Sequence, residues 1–412
     1  MVHEWQKERF ERLAQLVRDA VHPSEAVGLP YIGLEHIGEG SLSLMCLGIA
    51  EDATSLKNRF KRGDILFGKL RPYFRKVIRA PFDGICSTDI WVIRPRLGVD
   101  SRFLFYLMAS DLFIEPIVRA SEGTRMPRAQ WEYAATLEIL IPPLHEQRAI
   151  AHILGALDDK IELNRRMCET LEEMARAIFK AWFVDFEPVR AKMEGRWKRG
   201  QSLPGLPAEL YDLFPARLVN SELGEIPEGW TYVKLGEIAD VNWGDTNVTK
   251  SSYVDHGYIA FSAKGPDGFL PYFNYDCTGI VLSAIGENSG FTWLARGKWS
   301  CIKNTIRFWA TDSRVSTEYL FILTHNKNIW PIRGSAQPFI SQSDARNINI
   351  LLPSNNLARI FGGIVEPWYA RIEMNENQSH TLAALRDALL PKLISGEIRM
   401  KDAEIFLRER GL

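Results

Sequence analysis

The residues in this sequence best able to do chemistry are nine Lys and Arg side chains within residues 57–79, KNRFKRGDILFGKLRPYFRKVIR. Asp64 is the one acid in that stretch, and aromatic side chains are interleaved with the cations. The whole chain has a formal net charge of −1, so the basic character is local. A solvated strand face could carry such a run, but the scarcity of acids favours phosphate binding.

We expect contacts to nucleic acid from this run and from a milder group of polar residues within 242–307. Arg side chains suit guanine edges and phosphates, and Asn suits adenine edges. The expected DNA-binding residues are the basic and amide side chains of these regions, with two arginines near residue 125: Lys57, Arg59, Lys61, Arg62, Lys69, Arg71, Arg75, Lys76, Arg125, Arg128, Asn242, Lys264, Arg296, Lys298, Lys303 and Asn304.

No set of residues has the spacing of a catalytic or metal site. The sequence contains no G-x-x-x-x-G-K-[ST] phosphate loop, because GKW at 297–299 lacks the hydroxyl residue. It also lacks the Asn/Asp-Pro-Pro-aromatic tetrapeptide with which amino-methyltransferases hold a base amine. The eight His residues are scattered without H-x-x-x-H spacing. We therefore predict no catalytic residue, no metal ligand and no cofactor bound by this chain.

Length and composition narrow the class of protein. A chain of 412 residues suggests several domains. Five cysteines without a C-x-x-C pair argue for a reducing compartment. The charged start MVHEWQKERF lacks the apolar core of a signal peptide, and no run approaches the roughly 18–20 apolar residues that span a bilayer. We expect a cytoplasmic protein without a membrane partner.

The chain repeats itself. KIELNRRMCETL at 160–171 recurs as RIEMNENQSHTL at 371–382, an offset of 211 residues. Upstream, GDILF at 63–67 resembles TGIVL at 278–282, and Cys86 and Cys301 share that offset of 215. The first copy begins near Trp5 and the second near Trp230, and we expect both tryptophans to pack in a core. The offset between the copies is constant in the helical part and varies upstream of it. This indicates a rigid element joined to a loop-rich one.

Each copy has a strand-rich part followed by a helical part. Strands are expected at PYIGL, DILFG, KVIRA, DIWVIRP and LEILIP in the first copy, and at YIAF, GIVLSAI, NTIRFW, EYLFILT and INILLP in the second. A helix is expected near residues 102–110. The domains predicted in this α+β chain are strand-rich domain 1 at 1–141, a helical spacer at 142–190, a Gly/Pro-rich connector at 191–229, strand-rich domain 2 at 230–352 and a second helical spacer at 353–412.

The two helical parts predict an antiparallel coiled coil with a pseudo-twofold axis. Apolar residues recur at alternating spacings of three and four over four heptads. A helix of about 45 residues is roughly 68 Å long at 1.5 Å per residue, so it needs another helix to cover it. The expected helix-pairing residues are Leu154, Leu157, Ile161, Asn164, Leu171, Ile178, Trp368, Ile372, Asn375, Leu382 and Leu389.

Two features of these helices remain open from the sequence. Asn164 and Asn375 occupy equivalent positions, where a buried amide would fix the register; the alternative is that each points to water. Pro367 and Pro391 stand where the first copy has Ala156 and Lys180. Proline lacks a backbone N–H, so a kink or restart of the helix is expected near each.

These segments resemble the specificity subunit of type I restriction-modification systems. The resemblance rests on PPLHEQRAIAHILGALDDKIELNRRMCETLEEMARAIFKAWFVDFEPVRAK, on LGEIPEGW and on LRDALLPKLISGEI, and it covers essentially the whole chain. It implies two target-recognition domains that each read half of a bipartite double-stranded DNA site. It also implies that the helices set the spacing and dock two methyltransferase subunits, within a complex that contains endonuclease/translocase subunits. Those partners, rather than this chain, would use S-adenosylmethionine, ATP and Mg.

Two alternatives are a methyltransferase or nuclease with an unrecognised site, and a coiled-coil scaffold that joins proteins without reading bases. The absent cofactor loop and base-binding tetrapeptide argue against the enzyme. The basic run argues against the scaffold, which does not require it.

Overall fold

The computed structural model describes residues 5–121, 126–222 and 224–398 of the chain. These residues form two compact units: the first combines residues up to 165 with those from 377 onward, and the second contains 166–376. Within the described ranges, no helix is both long enough and apolar enough to cross a membrane.

The first unit is strand-rich, with four short helices and parts of two long ones. Its strands are Gln6–Arg9 (β1), Ala14–Val17 (β2), Ala20–Val21 (β3), Pro30–Ile32 (β4), Gly48–Ile49 (β5), Lys57–Phe60 (β6), Ile65–Gly68 (β7), Val77–Arg79 (β8), Gly84–Cys86 (β9), Ile90–Pro95 (β10) and Glu138–Ile141 (β11). Its helices are Phe10–Leu13 (α1), Ser101–Ala109 (α2), Asp111–Ala120 (α3), Trp131–Thr136 (α4) and the start of Leu144–Phe179 (α5).

Two sheets of this unit enclose its cores. One has the antiparallel order β2-β10-β7-β8, and the other has the order β3-β6-β9-β4-β5, in which β4 and β9 are parallel. Strand β7 is buried along its whole length, which its uninterrupted apolar sequence ILF predicts. Helix α2 begins at the N-cap Asp100, whose carboxylate accepts from the backbone N–H of Arg102 and Phe103 at 2.9 and 3.0 Å.

The second unit repeats this plan. Its strands are Leu218–Ser221 (β12), Gly224–Pro227 (β13), Thr231–Lys234 (β14), Ala239–Trp243 (β15), Tyr258–Ser262 (β16), Gly265–Leu270 (β17), Tyr275–Asp276 (β18), Gly279–Ser283 (β19), Thr292–Ala295 (β20), Lys298–Cys301 (β21), Thr305–Ala310 (β22) and Asn349–Leu352 (β23). Its helices are Glu187–Met193 (α6), Leu235–Ile238 (α7), Thr317–Thr324 (α8), Gln342–Arg346 (α9) and most of Leu357–Ser395 (α10), and α5 ends here.

The strand orders of the two units correspond. The sheet β15-β22-β19-β20 matches β2-β10-β7-β8, and the terminal pair β14-β23 matches β1-β11. The parallel pair β16-β21 matches β4-β9, and it places Cys301 where the first unit has Cys86. The repeat in the sequence is therefore a repeat of topology.

In the first unit, the start of α5 packs antiparallel to the end of α10. Asp158 pairs with Arg386 at 2.8 Å, and Asn164 Nδ2 donates to Gln378 Oε1 at 3.0 Å. A later residue of α5 thus contacts an earlier residue of α10, which is the antiparallel arrangement. The expected pairing residues of this unit lie along the contact: Leu154, Leu157, Ile161, Leu382 and Leu389 share one core with the adjacent strands and helices, and Asn164 is buried beside Gln378.

In the second unit, the end of α5 packs antiparallel to the start of α10. Cys168 Sγ lies 3.8 Å from the carbonyl oxygen of Ile372, and the rings of Phe179 and Phe361 are 5.7 Å apart. The remaining expected pairing residues also lie in this contact: Leu171, Ile178, Trp368 and Ile372 belong to the apolar core, and Asn375 is buried. The α+β class and the antiparallel pairing of the long helices are thus confirmed.

Both asparagines point inward. Besides Gln378, Asn164 Nδ2 is 3.3 Å from Ser379 Oγ, and Asn375 interacts with the thiol of Cys168. Ser379 and Cys168 are themselves equivalent at the offset of 211, so the two contacts are related by the repeat. This favours a register-fixing role over a solvent-facing one.

Two sequence predictions about elements are wrong, one of a strand and one of a helix restart. EYLFILT forms α8 rather than a strand, with Ser316 accepting at the helix start from the backbone N–H of Tyr319 at 3.1 Å. Its seven residues have no decisive periodicity, and a short buried helix has the same composition as a buried strand. Helix α10 continues through Pro367 and Pro391 without a restart. Tyr369 near the first proline and Leu390 and Leu393 near the second are buried.

Helix α5 does not extend through the whole helical spacer predicted at 142–190. It ends at Phe179, followed by a π-helical turn at Lys180–Val184 and by Phe186 in the left-handed region with φ 54°. Trp182 and Phe183 within the turn are both buried. Aromatic packing therefore sets the end of the helix.

The Gly/Pro-rich segment 191–229 is more than a connector. It contains the hairpin β12-β13, and Trp197 packs against Tyr211 and Phe214 within the core of the second unit. Trp197 Nε1 donates to the carbonyl oxygen of Gln201 at 2.7 Å. Side chains of this segment are therefore part of the hydrophobic core of the second unit.

Candidate nucleic-acid interface

The basic run of the first unit is divided by strand β7. Lys57, Arg59, Lys61 and Arg62 precede the strand, whereas the cations of residues 69–76 follow it. Arg79 returns on the antiparallel strand β8, opposite Ile65 and near Gly63. Four strand residues at about 3.3 Å each separate the two groups by roughly 13 Å. The run is therefore two clusters rather than one.

The first cluster contains exposed and buried cations. Lys57 is only 6% exposed, and its ammonium donates to the carbonyl oxygen and the hydroxyl of Ser55 at 2.8 Å each. That burial argues against a phosphate contact by Lys57. Arg59, Lys61 and Arg62 are exposed, and the guanidinium of Arg59 makes a long contact of 3.4 Å to the carbonyl oxygen of Glu25.

Asp64 does not neutralise this cluster. It is buried and accepts from Arg94 Nε and Nη2 at 2.6 and 2.9 Å, an interaction that raises the pKa of Arg94. It also accepts from the backbone N–H of Lys61 at 2.7 Å. The one acid within the basic run is thus paired inside the unit. It therefore does not cancel the positive charge of the Lys61 and Arg62 side chains.

The second cluster lies on residues 69–76, which we call the basic turn. Arg71 and Arg75 adopt left-handed conformations with φ 51° and 52°, on either side of a 3-10 turn at Pro72–Phe74. Such a conformation costs a residue with a side chain about 1–2 kcal/mol. Strain of this kind is concentrated at functional sites, where the surrounding structure holds it.

Backbone hydrogen bonds hold the basic turn on three sides. Gly68 N donates to Lys76 O at 2.8 Å and closes the turn. Arg71 N donates to Pro127 O at 2.8 Å, and Lys69 N donates to Asp89 O at 2.9 Å. The turn is therefore a fixed platform for its side chains.

The cations of the basic turn differ in their partners. Lys69 and Arg128 both approach Asp89, at 3.9 and 3.2 Å, and Arg75 pairs with Asp111. Lys76 donates to the carbonyl oxygen of Leu34 at 2.8 Å.

Arg71 is exposed, and within 5–121, 126–222 and 224–398 no acid lies within ion-pair distance of it. It is therefore the cation of the turn best placed to meet a phosphate or a guanine. Arg125, which was also expected to contact DNA, lies outside the described residues.

In the second unit, two of the expected residues are held inside the protein. Arg296 is 17% exposed and binds Glu366 at 2.7 Å and Glu373 at 3.2 Å, so it ties the β20-β21 turn to α10. Asn242 accepts from Gln342 Nε2 at 3.1 Å and donates to Asp240. These contacts argue for structural roles.

The other expected residues of the second unit are accessible. Lys264, Lys298 and Lys303 are exposed, and the ammonium of Lys298 lies 4.8 Å from the ring centre of Phe273. Asn304 is half-buried in a left-handed conformation with φ 72°.

Sequence analysis missed the buried ion pair of the first unit. Arg386 falls at a heptad position of α10, where it is 4% exposed and binds Asp158 and Asp387, each at 2.8 Å. Tyr106, which is buried, donates its hydroxyl to Asp158 as well. The available signal was a cation at a position that is apolar elsewhere in the heptads.

The buried cysteines are poor nucleophiles. Burial raises the pKa of Cys86 and of Cys301 to about 12, so both remain protonated thiols near neutrality. Across the described parts of the chain, no three His, Cys, Asp or Glu side chains are grouped so as to hold a metal ion.

Comparison with known proteins finds similar proteins of one kind. A family model described as the type I restriction modification DNA specificity domain matches residues 29–173. The HindI specificity subunit of Haemophilus influenzae is 27% identical, over 83% of this chain and 88% of its own length. The MjaIX specificity subunit of Methanocaldococcus jannaschii is 26% identical, over 75% and 72%.

Solved structures agree in fold. The S subunit of a type I restriction-modification system from M. genitalium aligns with a TM-score of 0.59 and 17% identity, covering 95% of this chain and 96% of the other. Over most of its length the chain is similar to specificity subunits of type I restriction-modification systems, and residues 29–173 match the DNA specificity domain of that family. These relatives are named for specificity, which favours a non-catalytic role for this chain.

Proposed function

We propose that this chain is the DNA sequence-recognition subunit of a type I restriction-modification complex, and that each strand-rich domain reads one half of a bipartite target. The observation that carries the proposal is the duplicated sheet topology with different side chains in the two copies. Two related but unequal readers suit two different half-sites. The domain limits predicted from the sequence remain part of this proposal.

Exposed cations of both basic clusters support a DNA contact in the first unit. Exposed Arg71, Lys61 and Arg62 supply positive charge that the chain as a whole lacks. Each phosphate that such a cation neutralises releases counterions, and binding then weakens as salt rises. A scaffold that only joins proteins does not require this feature.

The long helices support a spacing and docking role. Leu163 on α5 and Met374 on α10 are equivalent at the offset of 211, and both are exposed. Equivalent apolar positions on two related helices suit two copies of one partner. We propose that the helices fix the gap between half-sites and dock two methyltransferase subunits.

The rest of the complex follows from the family. Specificity subunits assemble with methyltransferase and endonuclease/translocase subunits, and we propose that S-adenosylmethionine, ATP and Mg are used by those partners. Because the proposed substrate is cellular DNA, we place the complex in the cytoplasm.

The test is the salt dependence of DNA binding by the complex assembled with its methyltransferase subunits. Arg71→Ala should reduce the slope of log affinity against log salt by about 1, the loss expected for one phosphate contact. Arg12→Ala is the matched control, because Arg12 is an exposed arginine of the same unit on α1. An unchanged slope for Arg71→Ala, and for Lys61→Ala and Arg62→Ala made separately, would favour the scaffold.

A further inference from the structure

The second unit contains a turn with the backbone of the basic turn. In this turn, residues 284–291, Ser283 N donates to Phe291 O at 2.8 Å and Gly286 N donates to Pro338 O at 2.8 Å. Ala284 N donates to Asn304 O at 3.0 Å. These bonds correspond one by one to the three that hold the basic turn.

The two left-handed positions of this turn are glycines. Gly286 has φ 104° and Gly290 has φ 93°, and at the offset of 215 they correspond to Arg71 and Arg75. We call residues 284–291 the glycine turn. Glycine adopts positive φ without the cost that a side chain adds. The first unit therefore has arginine where the second unit has glycine, so the backbone of the turn does not itself require arginine.

The glycine turn lies against an exposed segment, residues 333–339. Arg333 and Phe339 exchange backbone hydrogen bonds of 3.0 and 2.8 Å, and Phe339 bridges to Ile285 of the turn. In the first unit, Leu70 bridges to Arg128 at the equivalent place. The same two segments therefore form one surface in each unit.

The chemistry of the two surfaces differs. Glu287 and Gln337 are exposed on the second surface, and in the described parts of the chain neither side chain has a hydrogen-bond partner. The nearby cations are engaged: Arg333 pairs with Asp344, and the ammonium of Lys327 lies 4.7 Å from the ring centre of Phe291. A carboxylate repels phosphates, so this surface is poorly suited to binding the DNA backbone.

We infer that the glycine turn with residues 333–339 is the base-reading site of the second unit, and that Glu287 and Gln337 contact base edges in the major groove. This inference rests on the proposed function. A carboxylate accepts a hydrogen bond from the amino group of cytosine, and a glutamine amide pairs with adenine. The surface of the first unit offers positive charge to a phosphate or a guanine. The surface of the second unit offers hydrogen-bonding groups that distinguish one base from another.

The experiment uses the full chain assembled with its methyltransferase subunits on a library of randomised DNA sites, read by methylation sequencing. Glu287→Gln and Gln337→Ala are tested separately, and Glu237→Gln is the control because Glu237 is an exposed acid elsewhere in the unit, on α7. Both test side chains are exposed, so the thermal unfolding midpoint should be unchanged. This separates a folding defect from a reading defect.

Each test variant should relax a base requirement in the same single half of the split site, by about tenfold, which corresponds to one lost base contact. The control should keep every requirement. Unchanged requirements in both test variants, or relaxation in both halves at once, would overturn the inference while leaving the proposed function standing. If the unaltered complex methylates no split site, the proposed function itself fails.

Discussion

The buried ion pair between the long helices gives the sharpest prediction about stability. Replacing Asp158 by Ala removes a partner from Arg386, which is 4% exposed, and from the buried hydroxyl of Tyr106. An uncompensated buried charge costs about 3–5 kcal/mol. Asp387 remains 2.8 Å from Arg386 and is 57% exposed, so it compensates part of this loss. We therefore expect Asp158→Ala to cost about 3 kcal/mol, the lower end of that range.

The double variant Asp158→Ala/Arg386→Leu removes both charges and should recover about half of this cost, because no charge is then left buried. Hydrogen exchange of the amides in residues 154–161 is the assay, since it reports the stability of the first unit without requiring two-state unfolding of the whole chain. Strictly additive costs of the two single changes would refute the coupling.

Three further predictions concern single side chains. Arg71→Gly should leave the free energy of unfolding unchanged or raise it by up to about 1 kcal/mol, because glycine relieves the left-handed strain. The thermal unfolding midpoint measures this, and a clear fall would show that the guanidinium stabilises the fold. Trp197→Ala should destabilise the second unit by about 3–5 kcal/mol in urea unfolding, because its ring is buried; a change below about 1 kcal/mol would contradict the packing of 191–229. Burial raises the pKa of Glu318, so the wild type should lose stability as pH rises through that pKa, and Glu318→Gln should abolish this loss; parallel pH profiles of the midpoint would contradict it.

The elements with a long or regular pattern could be predicted from the sequence. The heptad spacing around Leu154 and Leu382 predicts two helices that cover each other, and the repeat predicts equivalent sheets. The strand predicted at EYLFILT is a helix, because a run of seven residues with five apolar side chains suits either a strand or a buried helix. Tertiary contacts such as those around Trp197 also override a Gly/Pro-rich composition.

The candidate interface was only partly predictable. A run of cations identifies the region, but sequence alone does not show that Lys57 is buried or that Arg296 binds α10. Those outcomes depend on partners distant in the chain. The most informative feature, arginine at a left-handed position, becomes visible only when Arg71 is compared with Gly286 in the second copy.

The measurement that tests the central claim most directly is sequencing of adenine methylation in cells that express the methyltransferase subunits with and without this chain. If the duplicated units read two half-sites, a split motif with a fixed gap should be methylated only when the chain is present. An identical methylation pattern in both cultures, or a continuous motif without a gap, would contradict the account.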